Sequence, residues 1–113
     1  MKYIIAVIQP DRMNDVMEEL EKQDVNLVTV TPVMGHGRQK GEATVYRGHK
    51  EVGRLLRKVK LEIAVNDEYV DKTLEAIRTG AKTDSIGDGK IFVLSLDECM
   101  RIRTGEKGDV AIG

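Results

Sequence analysis

The sequence predicts an α+β fold in which two β-α-β units follow one another along 113 residues. Two segments, 11–24 and 67–80, carry apolar residues at the same helical spacing, and each lies between two β-branched segments. A chain of this length has room for one hydrophobic core, so we expect residues 1–113 to form a single domain. The economical arrangement is a four-stranded antiparallel sheet with both helices on one face, the ferredoxin-like split β-α-β sandwich.

The first unit begins with an apolar, β-branched strand over residues 2–8. Pro10 ends this strand because proline has no N–H to continue a ladder. Segment 11–24 is predicted to be helical, and the residues on its apolar face are Met13, Val16, Met17 and Leu20. Residues 25–34 predict a second strand, in which Pro32 is typical of an edge or a bulge.

A long loop is predicted between the units, over residues 35–57, and its extended regulatory part is placed at about 36–57. It follows neither a strand period nor a helix period. Residues 35–60 contain eight Lys or Arg and two Glu, a charge of +6, while the other positions hold 10 basic and 17 acidic residues, or -7. Positive charge concentrated beside glycines favours an anionic ligand.

The second unit opens with strict alternation over residues 58–65, which predicts a strand. Segment 67–80 is the second helix, with Asn66 or Asp67 as its cap and Gly80 as its end, and its apolar face carries Val70, Thr73, Leu74 and Ile77. A glycine turn at 87–89 leads to a strand over 90–96, and we expect one further short strand at 98–103. The sheet face away from the helices carries small or polar residues, including Thr29, Thr31, Glu62 and Ala64. This face is therefore left to oligomer packing or a ligand.

Composition excludes several classes of protein. The formal net charge is -1, so a general polyanion binder is not indicated. The longest apolar run, 4–8, is too short to span a bilayer, and no cleavage site of a signal peptide follows it, so we expect a cytoplasmic protein. Cys99 has no second cysteine to pair with, and with His36 and His49 it offers no metal-ligand spacing.

Three segments combine glycine with fixed positive charge: 35–41, 87–90 and 101–105. Glycine lets backbone N–H groups approach phosphate oxygens, while Lys supplies a point charge and Arg a bidentate fork. None of the three is a Walker A loop, and Lys40 stands where a dinucleotide fingerprint requires its third glycine. A single cluster of this kind is more often only a turn, but the three together suit a polyphosphate.

These blocks resemble those of the PII signal-transduction proteins, trimeric cytosolic regulators of nitrogen metabolism. The resemblance covers nearly the whole chain and rests on several rare blocks in fixed order. They are Gly37-Arg38-Gln39-Lys40-Gly41, Tyr46-Arg47-Gly48, Lys58-Val59-Lys60, Thr83 with the segment 86–93, and the segment 101–106.

The resemblance implies a homotrimeric regulator, not an enzyme, that binds ATP or ADP in the clefts between subunits. The nucleotide contacts that it implies are Thr29, Glu62 and Ala64 at the adenine, Arg38 with Gly87, Asp88, Gly89 and Lys90 at the phosphates, Gly37 and Gln39 beside them, and Arg101 and Arg103 from the adjacent subunit.

Family resemblance also implies a second ligand. With Mg²⁺ and ATP bound, such proteins take up 2-oxoglutarate at the base of the long loop, which implies Gln39 as the metal ligand and Gln39, Lys40, Gly41 and Lys58 as effector contacts. The implied target is a membrane transporter of the ammonium-channel type or a metabolic enzyme. Tyr46 and Arg47 would contact it, with neither membrane insertion nor nucleic-acid binding by this chain.

Several positions depart from the family pattern. Glu51 stands where many members carry a modifiable tyrosine, and His49 stands where others carry a phosphorylated serine. Gln9 replaces a usual basic residue that assists effector binding, Asp11 stands where an aromatic is common, and Arg57 replaces a usual proline. These departures concern the effector and the target, so the resemblance defines the nucleotide site more closely than either of them.

Three alternatives remain open at the level of sequence. A related sensor that controls carbon or metal transport fits the same motifs. A slow nucleotide hydrolase is a second alternative, with Asp88 as its proposed base. An RNA-recognition module shares the fold, but the strand 58–65 contains no aromatic residue on which bases stack.

Overall fold

The computed structural model describes the backbone of residues 1–36, 44–46, 49–51 and 55–113, and the side chains of 1–36 and 55–113. The elements, in chain order, are β1 (Lys2–Ile8), α1 (Met13–Lys22), β2 (Thr29–His36), β3 (Thr44–Tyr46), β4 (His49–Glu51), β5 (Leu55–Val65), α2 (Val70–Ala81), β6 (Lys90–Ser95) and α3 (Asp109–Ile112). One turn of 3-10 helix precedes α1, at Pro10–Arg12, and another precedes α2, at Asp67–Tyr69.

Four strands form one antiparallel sheet in the order β2-β5-β1-β6. The central strand β1 pairs with both β5 and β6, so that Ile4 lies opposite Ile63 on one side and Val93 on the other. The strands β1 and β5, each from the start of one β-α-β unit, thus lie side by side. The predicted ferredoxin-like α+β fold is confirmed.

The hydrophobic core lies between the sheet and the two helices. The buried apolar residues are Ile4, Ala6, Ile8, Val16, Leu20, Val25, Val59, Leu61, Ile63, Val65, Ala76, Ile77 and Ala81. The alternation of β5 and the helical spacing of α1 and α2 both predict members of this set, and these predictions are confirmed. Within the described residues, no helix is long and apolar enough to cross a membrane.

Gly80 has a different role from the predicted one. The sequence predicts it as the end of α2, but the helix continues to Ala81 and Gly80 is buried inside it. A Cβ on Gly80 would lie 2.6 Å from the Cα of Val16 and 2.7 Å from its backbone nitrogen. Glycine is required because the backbones of α1 and α2 approach too closely for a side chain.

Part of the predicted loop has regular structure, so the expectation of an unstructured 35–57 segment is wrong in part. β2 continues to His36, which pairs with Leu55 at the start of β5. β3 and β4 form a separate two-stranded antiparallel pair, with Thr44 opposite Glu51. Backbone pairing extends these strands although their side chains show no period, because the ladder is made by N–H and C=O groups that every such residue carries.

The short strand predicted at 98–103 is also wrong. That segment makes one isolated bridge, between Met100 and Lys107. It then reverses, since the N–H of Gly105 donates to the carbonyl of Arg101 at 2.8 Å and Gly105 has a φ of 73°. A turn closed by a glycine at positive φ competes with strand pairing, and here the turn is formed.

Candidate functional site

The glycine turn predicted at 87–89 connects α2 to β6 and is fitted tightly against β1. A Cβ on Gly89 would lie 1.8 Å from the carbonyl oxygen of Val7. Gly87 and Gly89 have φ angles of 104° and 105°, a region in which L side chains are strained. Position 89 therefore accommodates only glycine, because the backbone of β1 occupies the space that a side chain would need.

The side chain of Asp88 stabilises the same turn through two hydrogen bonds with Thr83. The N–H of Thr83 donates to Asp88 Oδ2 at 2.8 Å, and the Thr83 hydroxyl donates to Asp88 Oδ1. These hydrogen bonds hold the pKa of the Asp88 carboxyl below its ordinary value. A carboxylate held in this way orients the turn.

A cavity of about 570 Å³ lies between this turn and the adjoining ends of β2 and β5. Four of the predicted site residues line it together with Gly35: Lys58, Gly87, Gly89 and Lys90. Lys58 donates from Nζ to the carbonyl of Gly87 at 3.4 Å. Its stem passes close to Gly35, where an added Cβ would lie 3.1 Å from Lys58 Cγ. The structure therefore brings the start of one sequence cluster, 35–41, beside another, 87–90.

A second group of predicted site residues lies further along the sheet, between the middle of β1 and its N-terminal end, on the face away from the helices. Thr29 is exposed and opposite Glu62 in the β2-β5 ladder, and Ala64 lies opposite Tyr3 in the β5-β1 ladder. The Tyr3 hydroxyl donates to Glu62 Oε2, and Lys60 forms an ion pair with Glu62 at 3.4 Å.

Tyr3 contacts Glu62, a predicted site residue, although the sequence pattern did not single Tyr3 out. Its hydrogen bond lowers the pKa of Glu62 and raises the pKa of the Tyr3 phenol. The signal that would have found it is the strand register, because Tyr3 and Glu62 are diagonal neighbours across the ladder and such pairs lie within reach of long side chains. Tyr3 thus fixes the orientation of the Glu62 carboxylate, which the family resemblance predicts to lie at the adenine.

The third sequence cluster lies beside the end of β5. Arg101 donates to Glu106 Oε1 at 3.0 Å and to the carbonyl of Val110 at 2.9 Å. Asn66, directly after β5, donates from Nδ2 to the carbonyl of Asp109 at 3.1 Å. Arg103 is exposed. The two arginines are thus in the C-terminal segment, which is attached at the same end of the sheet as Ala64.

The cavity beside Lys90 and the group around Ala64 do not meet within one chain. Lys90 lies opposite Val7 on β1, whereas Ala64 lies opposite Tyr3 on the same strand. Four residues of strand separate the two positions, about 13 Å at the usual rise of a β-strand. One chain therefore holds the two groups of predicted site residues at different places along its sheet.

Several predicted site residues lie outside the described residues: Gly37, Arg38, Gln39, Lys40, Gly41 and Arg47. Tyr46 is the last residue of β3. In residues 1–36 and 55–113, no group of His, Cys, Asp and Glu is arranged to hold a metal ion. The predicted metal ligand, Gln39, belongs to the part outside.

Comparison with known proteins identifies the family to which this fold belongs. Residues 1–106 match the model of the family described as nitrogen regulatory protein P-II. The chain is 51% identical over 114 aligned residues to nitrogen regulatory protein GlnK1 of Methanosarcina mazei, covering 99% of this chain and 97% of that protein. It is 49% and 48% identical to the nitrogen regulatory proteins P-II of Pasteurella multocida and Rhizobium etli, covering 99% of this chain and all of each relative. The chain belongs to the nitrogen regulatory P-II family.

Proposed function

We propose that this chain is a nucleotide-responsive regulator that binds ATP or ADP between the subunits of a homotrimer. In this proposal it controls a transporter or a metabolic enzyme through the segment 36–57. The observation that carries the proposal is the cavity lined by Lys58, Lys90 and the 87–89 turn. Ala64, one of the residues assigned to the adenine, lies four strand residues further along β1 than Lys90, about 13 Å away.

The cavity has the chemistry of an anion site. Two lysines contribute positive charge, and Gly35, Gly87 and Gly89 leave the backbone without side chains that would keep a phosphate at a distance. Lysine is a point charge that binds phosphate oxygens well, and its flexible stem allows it to follow a polyphosphate chain. These residues fit the phosphates of ATP or ADP, and Mg²⁺ would supply further positive charge between the phosphate oxygens.

A second copy of the chain supplies what one copy lacks. The sheet face away from the helices is partly apolar, and on it Phe92 lies opposite Ile5 and Leu94 lies opposite Tyr3. Phe92 is 52% exposed and Leu94 is 47% exposed. Burying such a face between copies is favourable, and closed symmetric association is the usual outcome for one kind of chain. In the trimer, the residues assigned to the adenine in one subunit would then complete the cavity of its neighbour; they are Thr29, Glu62 and Ala64.

Lys58 supports an anionic effector at the same place. It lies beside Gly35 and His36, where the chain leaves β2 for the segment that carries Gln39, Lys40 and Gly41. A dicarboxylate such as 2-oxoglutarate would add negative charge close to the phosphates, so its binding should require Mg²⁺ and Lys58 to offset the repulsion. The effector would favour one conformer of the segment, which a target then recognises.

Isothermal titration calorimetry tests the proposal directly. ATP and ADP are titrated in turn at millimolar Mg²⁺, and 2-oxoglutarate is then titrated with ATP saturating. We expect both nucleotides to bind, 2-oxoglutarate to bind only in the presence of Mg-ATP, and light scattering to give three chains per particle. Binding of neither nucleotide, or a monomer in solution, would refute the proposal.

Lys90→Ala is the matching variant. Loss of a charged contact to phosphate typically costs about 1.5–3 kcal/mol, so ATP affinity should fall roughly 10- to 100-fold. Lys72→Ala is the control, because Lys72 is an exposed lysine of α2, on the helix face of the sheet. Equal ATP affinity in both variants would remove Lys90 from the site.

A further inference from the structure

The carbonyl of Gly87 accepts two hydrogen bonds, one from the residue after β1 and one from β5. Gln9, directly after β1, donates from Nε2 at 2.8 Å, and Lys58 of β5 donates from Nζ at 3.4 Å. The bond from Gln9 is the shorter of the two and has ordinary geometry for an N–H donor. A carbonyl oxygen has two lone pairs, so the two donors are compatible.

Gln9 is itself held in place. Its backbone is extended, with φ of -68° and ψ of 138°, and its carbonyl accepts from the N–H of Arg12 at 3.1 Å in the 3-10 turn that follows. Pro10 fixes the chain direction at the next residue. The side chain of Gln9 is therefore presented to the Gly87 carbonyl from a backbone with little freedom.

Gln9 and Lys58 differ in what else attracts them. The Lys58 ammonium carries a full charge and lines the cavity, so an anion in the cavity attracts it strongly. The Gln9 amide is neutral, and it stays with the carbonyl when that charge is drawn away. Without Gln9, an ammonium that turned toward an anion would leave the Gly87 carbonyl short of a donor, which is costly for a partly buried group.

We propose that Gln9 is a positioning residue for this anion site: it holds the Gly87 carbonyl, so that Lys58 can turn to a carboxylate in the cavity while the 87–89 turn keeps its shape. The proposal rests on the proposed function for the nature of the anion. It predicts that Gln9 affects anion binding through Lys58 without touching the anion itself.

A stability cycle in the absence of ligand tests the shared carbonyl. The variants are Gln9→Ala, Lys58→Met, which keeps the stem and removes the charge, and the double variant. If both side chains serve one acceptor, each single variant leaves the other donor in place, and the double variant should lose more in melting temperature than the sum of the two single losses. Gln9→Lys combined with Lys58→Met supplies a donor that the double variant lacks, so it should be more stable than the double variant. Strict additivity would overturn the proposal.

A binding measurement tests the consequence, with 2-oxoglutarate as the probe and Mg-ATP saturating. Gln9→Ala should weaken 2-oxoglutarate roughly three- to tenfold, the usual net effect of one hydrogen bond. Gln23→Ala is the control, because Gln23 follows α1 and lies away from the cavity. If the unchanged protein binds 2-oxoglutarate and Gln9→Ala binds it equally well, this inference fails while the proposed function stands. If the unchanged protein binds neither ATP nor 2-oxoglutarate, the proposed function fails and the anion role of Gln9 fails with it.

Discussion

Gly89→Ala is the substitution for which the structure gives the sharpest expectation. The added Cβ would lie 1.8 Å from the carbonyl oxygen of Val7 and 3.0 Å from its carbon. Contacts below about 3 Å do not occur for a real Cβ, so the turn and β1 would have to separate by more than about 1 Å. The opposing atoms are backbone, and they cannot rotate out of the way as a side chain does.

Two energetic costs add at this position. Holding alanine at a φ of 105° costs about 1–3 kcal/mol, and forcing it into a filled space costs about 1–3 kcal/mol more. Gly108 separates the two costs, because it has a φ of 81° and an added Cβ there meets nothing within 4 Å. Gly108→Ala should therefore carry only the first cost, and the two variants should differ by about 1–3 kcal/mol.

Thermal unfolding followed by circular dichroism measures this difference. At about 4 °C per kcal/mol for a chain of this size, Gly89→Ala should melt about 4–12 °C below Gly108→Ala. Its displaced turn should also weaken ATP far more than Gly108→Ala does, since Lys90 follows it directly. Equal melting temperatures for the two variants would show that the turn is not fitted against Val7 and would refute the reasoning.

Two further predictions follow from other contacts. Tyr3→Phe should destabilise the protein near pH 7, because the Tyr3 hydroxyl lowers the pKa of the Glu62 carboxyl. This contribution to stability is present above the ordinary carboxyl pKa of 4.5 and is lost as acid protonates Glu62. Urea unfolding should therefore show a smaller effect of the substitution at about pH 3. An effect that is the same at both pH values would contradict it. Gly80→Ala should destabilise the protein by about 1–2 kcal/mol despite the better helix propensity of alanine, because the added Cβ meets the backbone of Val16. Thr79→Ala is the control: Thr79 is the exposed neighbour in the same helix, and its substitution should be neutral or slightly stabilising. A stabilised Gly80→Ala would show that the helices have room to separate.

Local pattern accounts for what was predicted well. The alternation of β5 and the spacing of Val16 and Leu20 in α1 place the right residues in the core, because burial of one face imposes its period on the sequence. The resemblance identified the family from blocks of sequence, and the comparisons confirm it. The nucleotide, the effector and the trimer stay predictions.

The features that the sequence did not predict depend on contacts between distant segments. The start of β5 at Leu55 depends on His36 across the ladder, and that partner is far away in sequence. The turn at Gly105 formed where a strand was predicted, because the two local alternatives are close in energy and the neighbours of the segment decide between them. The role of Gly80 is visible only when α1 lies beside α2.

Local periodicity and residue type predicted the core-facing residues of β5, α1 and α2, the succession of β1, α1, β2, β5, α2 and β6, and the three glycine-rich basic clusters. Contacts between distant segments set the rest: Lys58 and Lys90 line one cavity, Gln9 donates to the Gly87 carbonyl, and Ala64 lies about 13 Å from Lys90 along β1. The physical reason is register: the face and the end of the sheet at which a side chain lies depend on the partner strand, and a shift of one residue would move it to the other face.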